Sequence, residues 1–312
     1  MKLTTASLAL FALCSLSVNA WGPLGHSTVA AVALRYLRPE ALEQTRTILS
    51  YGATEEQTLV TVANWADSYR KTKEGKYSYF YHFIDVNDEP LKGNCNVNMT
   101  RDCSKEKGCI VTAIANYTSR ATDATLGTAQ TAEALRFLTH LFGDIHQPLH
   151  NEGAEEGGNR IPVLFDGKPS NLHRAWDNDK IQDFFGNYTI EKAQMWAQRI
   201  SREINRDGGI YHEKPEKWAF CQNLNHPAAC ALEWSTETNR LNCEFVYAKD
   251  PTNEELNDGF YPDWIFVIEK QVARGGVRLA AWLNLIFTGS TGFDASSALT
   301  VMDDVRMVDN YA

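Results

Sequence analysis

The stretch HLFGDIHQPLH, residues 140–150, holds three histidines and an aspartate around a proline. Imidazole nitrogens and carboxylate oxygens form a borderline-to-hard ligand set that suits zinc, at roughly 2.0–2.2 Å. On an α-helix, His140 and Asp144 share a face, about 40° apart, whereas His146 points nearly opposite to Asp144. Pro148 interrupts the helical ladder, which lets His150 approach from a different angle. Spacing leaves open whether His146 or His150 joins the pair.

Three further segments carry the same residue types. LHRAWD places His173 and Asp177 at i and i+4 beside Trp176. NWAD sets Asp67 on an apolar segment, and FYHFID sets His82 among aromatic residues with Asp85 three positions later. Each group alone has a plainer explanation. A His/Asp pair on a helix is commonly a hydrogen-bonded pair, Asp67 reads equally well as a solvent-facing residue, and His82 as a satisfied core histidine. Together they put several potential ligands near aromatic positions suited to burial, and a metal centre becomes the stronger reading.

The elements that must carry these groups are mostly helices. Segments 26–37, 55–71, 131–146, 191–204 and 276–287 show apolar residues at helical spacing. Strand-like alternation is scarce, and IPVLFDG (161–167) is the best candidate for one arm of a short hairpin. The spacing predicts a single all-α, multi-helix domain with long loops at 87–110, 151–172 and 205–260, and no linker or internal repeat. After Phe287 the chain turns polar and acidic, so 289–312 reads as a mobile tail.

Residues 1–20 have a lysine, an apolar run and a small-residue end at Val18-Asn19-Ala20, the pattern of a secretory signal peptide. The apolar run is shorter than the roughly 20 residues of a membrane span. Cleavage after Ala20 makes Trp21 the first residue and leaves six cysteines: Cys95, Cys103, Cys109, Cys221, Cys230 and Cys243. An even number in a secreted chain argues for disulfides. Asn98, Asn116 and Asn187 each open a glycosylation sequon. The net charge is −9, and −10 without Lys2, which argues against a basic surface that grips duplex phosphates. If the substrate is an anion, its positive counterpart must come from elsewhere.

WGPLGH at 21–26, NWAD, YHFID, HLFGDIHQPLH, the GGN of 157–159 and LHRAWD occur in an order and spacing that resembles the secreted class I nucleases. These are the fungal single-strand-specific zinc nucleases and the plant bifunctional nucleases. The resemblance runs from Trp21 to about Phe287, and the ordered set is far more specific than any one motif. It implies the all-α fold shared with zinc phospholipase C, a nuclease domain at 21–288 and three zinc ions in one cleft.

By that resemblance Asp67, His82, His140 and Asp144 bind the first zinc, and His150, His173 and Asp177 the second. His26, a bridging Asp144 and the free amino group and carbonyl oxygen of Trp21 bind the third. His146 is then not a ligand. Three zincs would bring +6 against −3 from the three aspartates, which supplies the missing positive charge. The implied reaction is hydrolysis of single-stranded DNA and RNA to 5′-phosphate ends, with 3′-nucleotidase activity. Asp85 would orient the attacking water, Phe83 would stack on a base, and Asn159 would contact the nucleotide. No second aromatic pair stands out in the loop at 154–171, where some relatives have a further nucleotide site. The resemblance also pairs Cys103 with Cys109, Cys95 with Cys243 and Cys221 with Cys230.

Two other functions share these residues. A zinc phospholipase C has the same architecture, although the NWAD and GDIHQPLH wording and an aspartate at position 144 favour the nuclease. A non-catalytic secreted binding protein would have lost a ligand group somewhere, and all are present. The chain is expected to act as a monomer away from membranes.

Overall fold

The computed structural model describes residues 21–211 and 213–293. The leader at 1–20 and most of the acidic tail lie outside the described residues. Thirteen α-helices, three 3-10 helices, two π turns and one two-stranded sheet account for the regular structure among them.

Pro23 opens α1 (Pro23–Tyr36), whose alanine- and valine-rich sequence is buried nearly all round. A helix apolar on every face belongs in the interior. Accordingly α1 is enclosed by α13 (Trp264–Thr288), α10 (Ile190–Asn205) and α7 (Thr128–Asp144). The proline-started α2 (Pro39–Leu49) packs on α7 and α13, and α6 (Ile110–Thr122) lies between α7 and α12 (Pro227–Leu241).

The segment expected as one helix over 55–71 is two. Thr58 caps α3 (Leu59–Val62) through reciprocal bonds with Thr61, so helix begins only at residue 59. Asn64, at φ −97° and ψ 4°, then interrupts it before α4 (Trp65–Tyr69). The loops also hold structure. Segment 87–110 includes α5 (Met99–Asp102), and 205–260 contains α11 (Pro215–Trp218), all of α12 and a π turn at Asn242–Val246. At the other end Phe293 is buried against Tyr36, so packed structure continues into the start of the tail segment.

The hairpin is present in full. Strand β1 (Pro162–Phe165) pairs antiparallel with β2 (Lys168–Asn171), joined by Asp166-Gly167 with φ of 51° and 68°. Two consecutive positive φ values define a type I′ turn, for which Asp-Gly is a favoured sequence. The strand β2 feeds directly into α8 (Leu172–Arg174), where Asn171 caps the helix by accepting from Arg174 N at 2.8 Å. A π turn at Ala175–Asp179 and α9 (Lys180–Phe185) follow. A local turn signal thus aims the segment that carries His173 and Asp177. Disulfides join Cys95 to Cys243, Cys103 to Cys109 and Cys221 to Cys230. No helix among the described residues is long and apolar enough to cross a membrane.

Candidate metal centre

His140 and Asp144 leave the buried end of α7 on one face, 3.2 Å apart between Nε2 and Oδ2. Asp144 gathers two more imidazoles, with His82 Nδ1 at 2.9 Å from Oδ2 and His26 Nε2 at 3.2 Å from Oδ1. His26 reaches this point from α1 by stacking on His140, 3.8 Å between ring centres. Gly143 makes room for it, since a β-carbon there would sit 2.6 Å from His26 Nδ1. Asp67 on α4 completes the group at 3.8 Å from His140 Nε2 and 3.9 Å from His82 Nδ1. Arg70, one turn on, holds its carboxylate at 2.8 Å.

Helix α7 ends at Asp144, and Pro148 begins a 3-10 turn through Asn151 that redirects His150. His150 Nε2 faces His173 Nε2 at 3.2 Å, and His173 Nε2 lies 3.0 Å from Asp177 Oδ2. Potential ligand atoms therefore fall into three buried groups: His26, Asp67 and His140; His82, His140 and Asp144; His150, His173 and Asp177. The structure thus brings His26 beside Asp67 as well as Asp144. Trp21 is fully buried, and Gly22 N donates to Asp177 O at 2.8 Å, which ties the chain at residue 21 to the His173 segment.

Backbone carbonyls orient the rings. His140, His150 and His173 each direct Nδ1 at a carbonyl oxygen 2.7 Å away, those of Ala63, His82 and Gly157 respectively. A carbonyl only accepts, so each Nδ1 carries the proton and each neutral ring keeps its lone pair on Nε2. With both rings neutral, His150 and His173 point lone pairs at one another across 3.2 Å, a gap that a metal ion or a proton on His173 fills. His82 Nε2 and His26 Nδ1 are buried without hydrogen-bond partners, and His26 Nε2 and Asp144 Oδ1 face one another. Orphaned nitrogen and oxygen donors of this kind fit zinc.

The electrostatics agree. Burial pushes His82 and His150 down to about 4, so both rings are neutral near pH 7 with lone pairs free. Burial also lowers His26, helped by the neighbouring His140. At His140 and His173 burial is outweighed by the aspartates beside them, Asp144 and Asp177, and their values rise. Burial opposes ionisation of Asp144, yet His140 and the surrounding imidazoles hold it well below the usual carboxylate range. The cluster is built to attract cations.

His146 has no place in it. Its Nδ1 lies 2.7 Å from Phe142 O and its Nε2 2.8 Å from Arg278 Nη1. Phe83 and Asp85 lie just outside, lining an open cavity of about 240 Å³ with Phe80, Asp102 and Lys107. Phe83 is half-buried, edge-on to Tyr79 and Phe80, whereas Asp85 is exposed. Desolvation in the cavity, and then Glu156, raise the Asp85 value. Asn159 donates its amide to Glu156 O at 2.8 Å and so braces its own loop.

Sequence reasoning missed the orienting groups. Carbonyls of Ala63, His82 and Gly157 leave no trace in residue type. Gln147 had a signal, its place within the histidine motif; it donates to Asp177 Oδ1 at 2.5 Å and accepts from Leu149 N, joining the two halves of the cluster.

Fold and site define an all-helical protein with a buried His/Asp centre able to hold more than one metal ion. Residues 21–288 match the S1/P1 Nuclease family model. The chain is 42% identical over 269 residues to Nuclease P1 of Penicillium citrinum, covering 85% of this chain and 97% of the relative. It is 35% identical over 288 residues to Nuclease S1 of Aspergillus oryzae, covering 91% and 98%. Endonuclease 3 of Arabidopsis thaliana is 32% identical over 275 residues, covering 86% and 89%. The protein belongs to the S1/P1 nuclease family.

Proposed function

We propose that this protein is a secreted zinc-dependent endonuclease that hydrolyses single-stranded DNA and RNA to 5′-phosphate products and also acts as a 3′-nucleotidase. The observation that carries the reading is the convergence of His150 Nε2, His173 Nε2 and Asp177 Oδ2, set beside a second cluster centred on Asp144. Asp67, His82, His140 and Asp144 would hold one zinc; His150, His173 and Asp177 a second. His26, Asp144 and the amino group and carbonyl oxygen of Trp21 would hold a third, once cleavage after Ala20 frees that amine. Zinc, when bound, supplies Lewis-acid polarisation of a phosphate and acidifies water in the cleft.

The chain's own residues account for selection and proton handling. Phe83, at the cavity rim, offers a stacking face that only an unpaired base can meet, which favours single strands. Asp85, in the same cavity and biased toward a proton, would orient water and hold the proton it gives up. Asn159 keeps the loop beside His173 in shape and meets the nucleotide from there. The sequon residues Asn98, Asn116 and Asn187 are all exposed and would carry glycans in the secreted monomer.

N-terminal sequencing and metal analysis of one secreted sample, followed by assay on denatured and duplex DNA, test the reading. A chain starting at Trp21 with about three zincs that cleaves denatured DNA preferentially is expected. A different first residue, or one zinc or none, would overturn the ligand assignment. Release of phosphocholine from lecithin without nucleotides from DNA would make the protein a phospholipase instead.

A further inference from the structure

Away from the histidines, a second group of buried atoms lacks partners, and all of them are oxygens. Glu152 is 1% exposed. Its Oε1 accepts from Gly153 N and Ala154 N, both at 2.9 Å, while Oε2 receives no donor. The Asp88 and Glu152 carboxyl groups lie within hydrogen-bonding reach of each other. Asp88 Oδ2 accepts from Asn96 N at 3.1 Å and Asn239 Nδ2 at 3.2 Å, but its buried Oδ1 accepts from nothing.

Asn239, fully buried on α12, also donates to Asn151 O at 2.8 Å, and its Oδ1 has no partner. Turning the amide over would set Oδ1 against two acceptors, so the orientation is fixed. Asn242, one turn further, donates to Pro148 O at 2.9 Å and again leaves Oδ1 unpartnered. The buried Tyr247 hydroxyl, electrostatically coupled to Glu152, has no partner either. Arg101, the cation acting on Asp88, is committed to Asp102 and the Asn96 carbonyl.

Two carboxyls in contact inside a protein are neutralised by a shared proton or by a cation, and a shared proton would leave the oxygens of Asn239 and Tyr247 still unpartnered. Carboxylate, carboxamide and hydroxyl oxygens with no nitrogen or sulfur form the ligand set of a hard cation, whereas zinc has the histidines. We propose that Asp88, Glu152 and Asn239, with Tyr247 beside them, form a separate site for a divalent cation of the calcium type. The ion would tie the segment following His82 to the turn following His150 and to α12. The Cys95–Cys243 disulfide links the neighbours of Asn96 and Asn242 across the same junction. The proposal does not rest on the nuclease reading: zinc content reports on the histidines, calcium uptake on this site.

The test is titration of the zinc-loaded protein with calcium chloride at fixed free zinc, read by calorimetry and by unfolding temperature. One calcium per chain and a raised unfolding temperature are expected. Glu152→Gln and Asp88→Asn should each weaken calcium binding at least about tenfold, because ligand charge sets calcium affinity, with zinc content unchanged. Wild type that takes up no calcium at millimolar concentration overturns the proposal and leaves the carboxyls sharing a proton. Uptake unaffected by either variant overturns it too, as an adventitious ion only. Should a variant fail to fold, terbium(III) luminescence on wild type decides: calcium-displaceable emission supports the site, and its absence overturns it.

Discussion

Two buried histidines four residues apart are used in opposite ways. His146 spends both ring nitrogens inside the protein, one on Phe142 O and one on Arg278, which itself contacts Glu237 and Trp218 O. His150 spends only Nδ1, on the His82 carbonyl, and leaves Nε2 facing another imidazole. Burial holds both below the ordinary histidine value, with Arg278 adding to the effect at His146. Residue type, burial and titration therefore fail to separate a ligand from a structural histidine. The fate of the second nitrogen does separate them.

The largest effect should come from the cluster. Asp144→Asn takes the charge from the one carboxylate in contact with His26, His82 and His140. Nuclease turnover should fall on the order of 10³-fold or more, as when preorganised electrostatic groups are lost, and bound zinc should fall with it. Activity and metal content near wild type would break the comparison on the ligand side.

His146→Gln should do the reverse. Losing a partner of the buried Arg278 network is expected to cost about 3 kcal/mol in denaturant unfolding, while the folded fraction keeps its zinc. A loss of zinc at unchanged stability would make His146 a ligand after all.

The subtlest effect is the pH dependence of chelated protein. His82 and His150 stay neutral down to about 4 when folded, whereas an unfolded histidine takes a proton near 6.5. Their contribution is complete above 6.5 and drains away as pH falls toward 4. His26 and His146 act in the same sense; His140 and His173, raised by their aspartates, act in the opposite one. Thermal unfolding of metal-free protein should shift to lower temperature between pH 6.5 and 4. A flat or rising profile would show that the groups with raised values, His140, His173 and Glu152, dominate.

How far the sequence reveals this depended on what each helix buries. Helices α1, α7 and α10 bury apolar faces and stand out to within a few residues. Helix α12 reads as loop because the later turns of its inner face, Ser235, Thr238 and Asn239, are polar. Ser235 donates to Asn151 Oδ1, and Asn239 to Asn151 O, so the face that should show apolar periodicity instead holds the turn that carries His150. Helix α13 was legible only from residue 276, since buried Glu269 and Gln271 interrupt its earlier turns to bond Trp196 and His146 O. The side chains of the metal centre were legible because their chemistry is tied to residue type. Their tautomers were not, being set by carbonyls, among them that of Ala63 at the break between α3 and α4.

Gly143 carries a warning for anyone who would make this protein hardier. Glycine inside a helix costs roughly 0.5–1 kcal/mol relative to alanine, so Gly143→Ala looks like an easy gain. Yet the added methyl would press on His26, 2.6 Å from Nδ1 and 3.0 Å from Cε1, and drive the ring off His140. The engineer would trade a small gain in the rod for a clash with a fully buried ring, and would blunt the tool without hardening it.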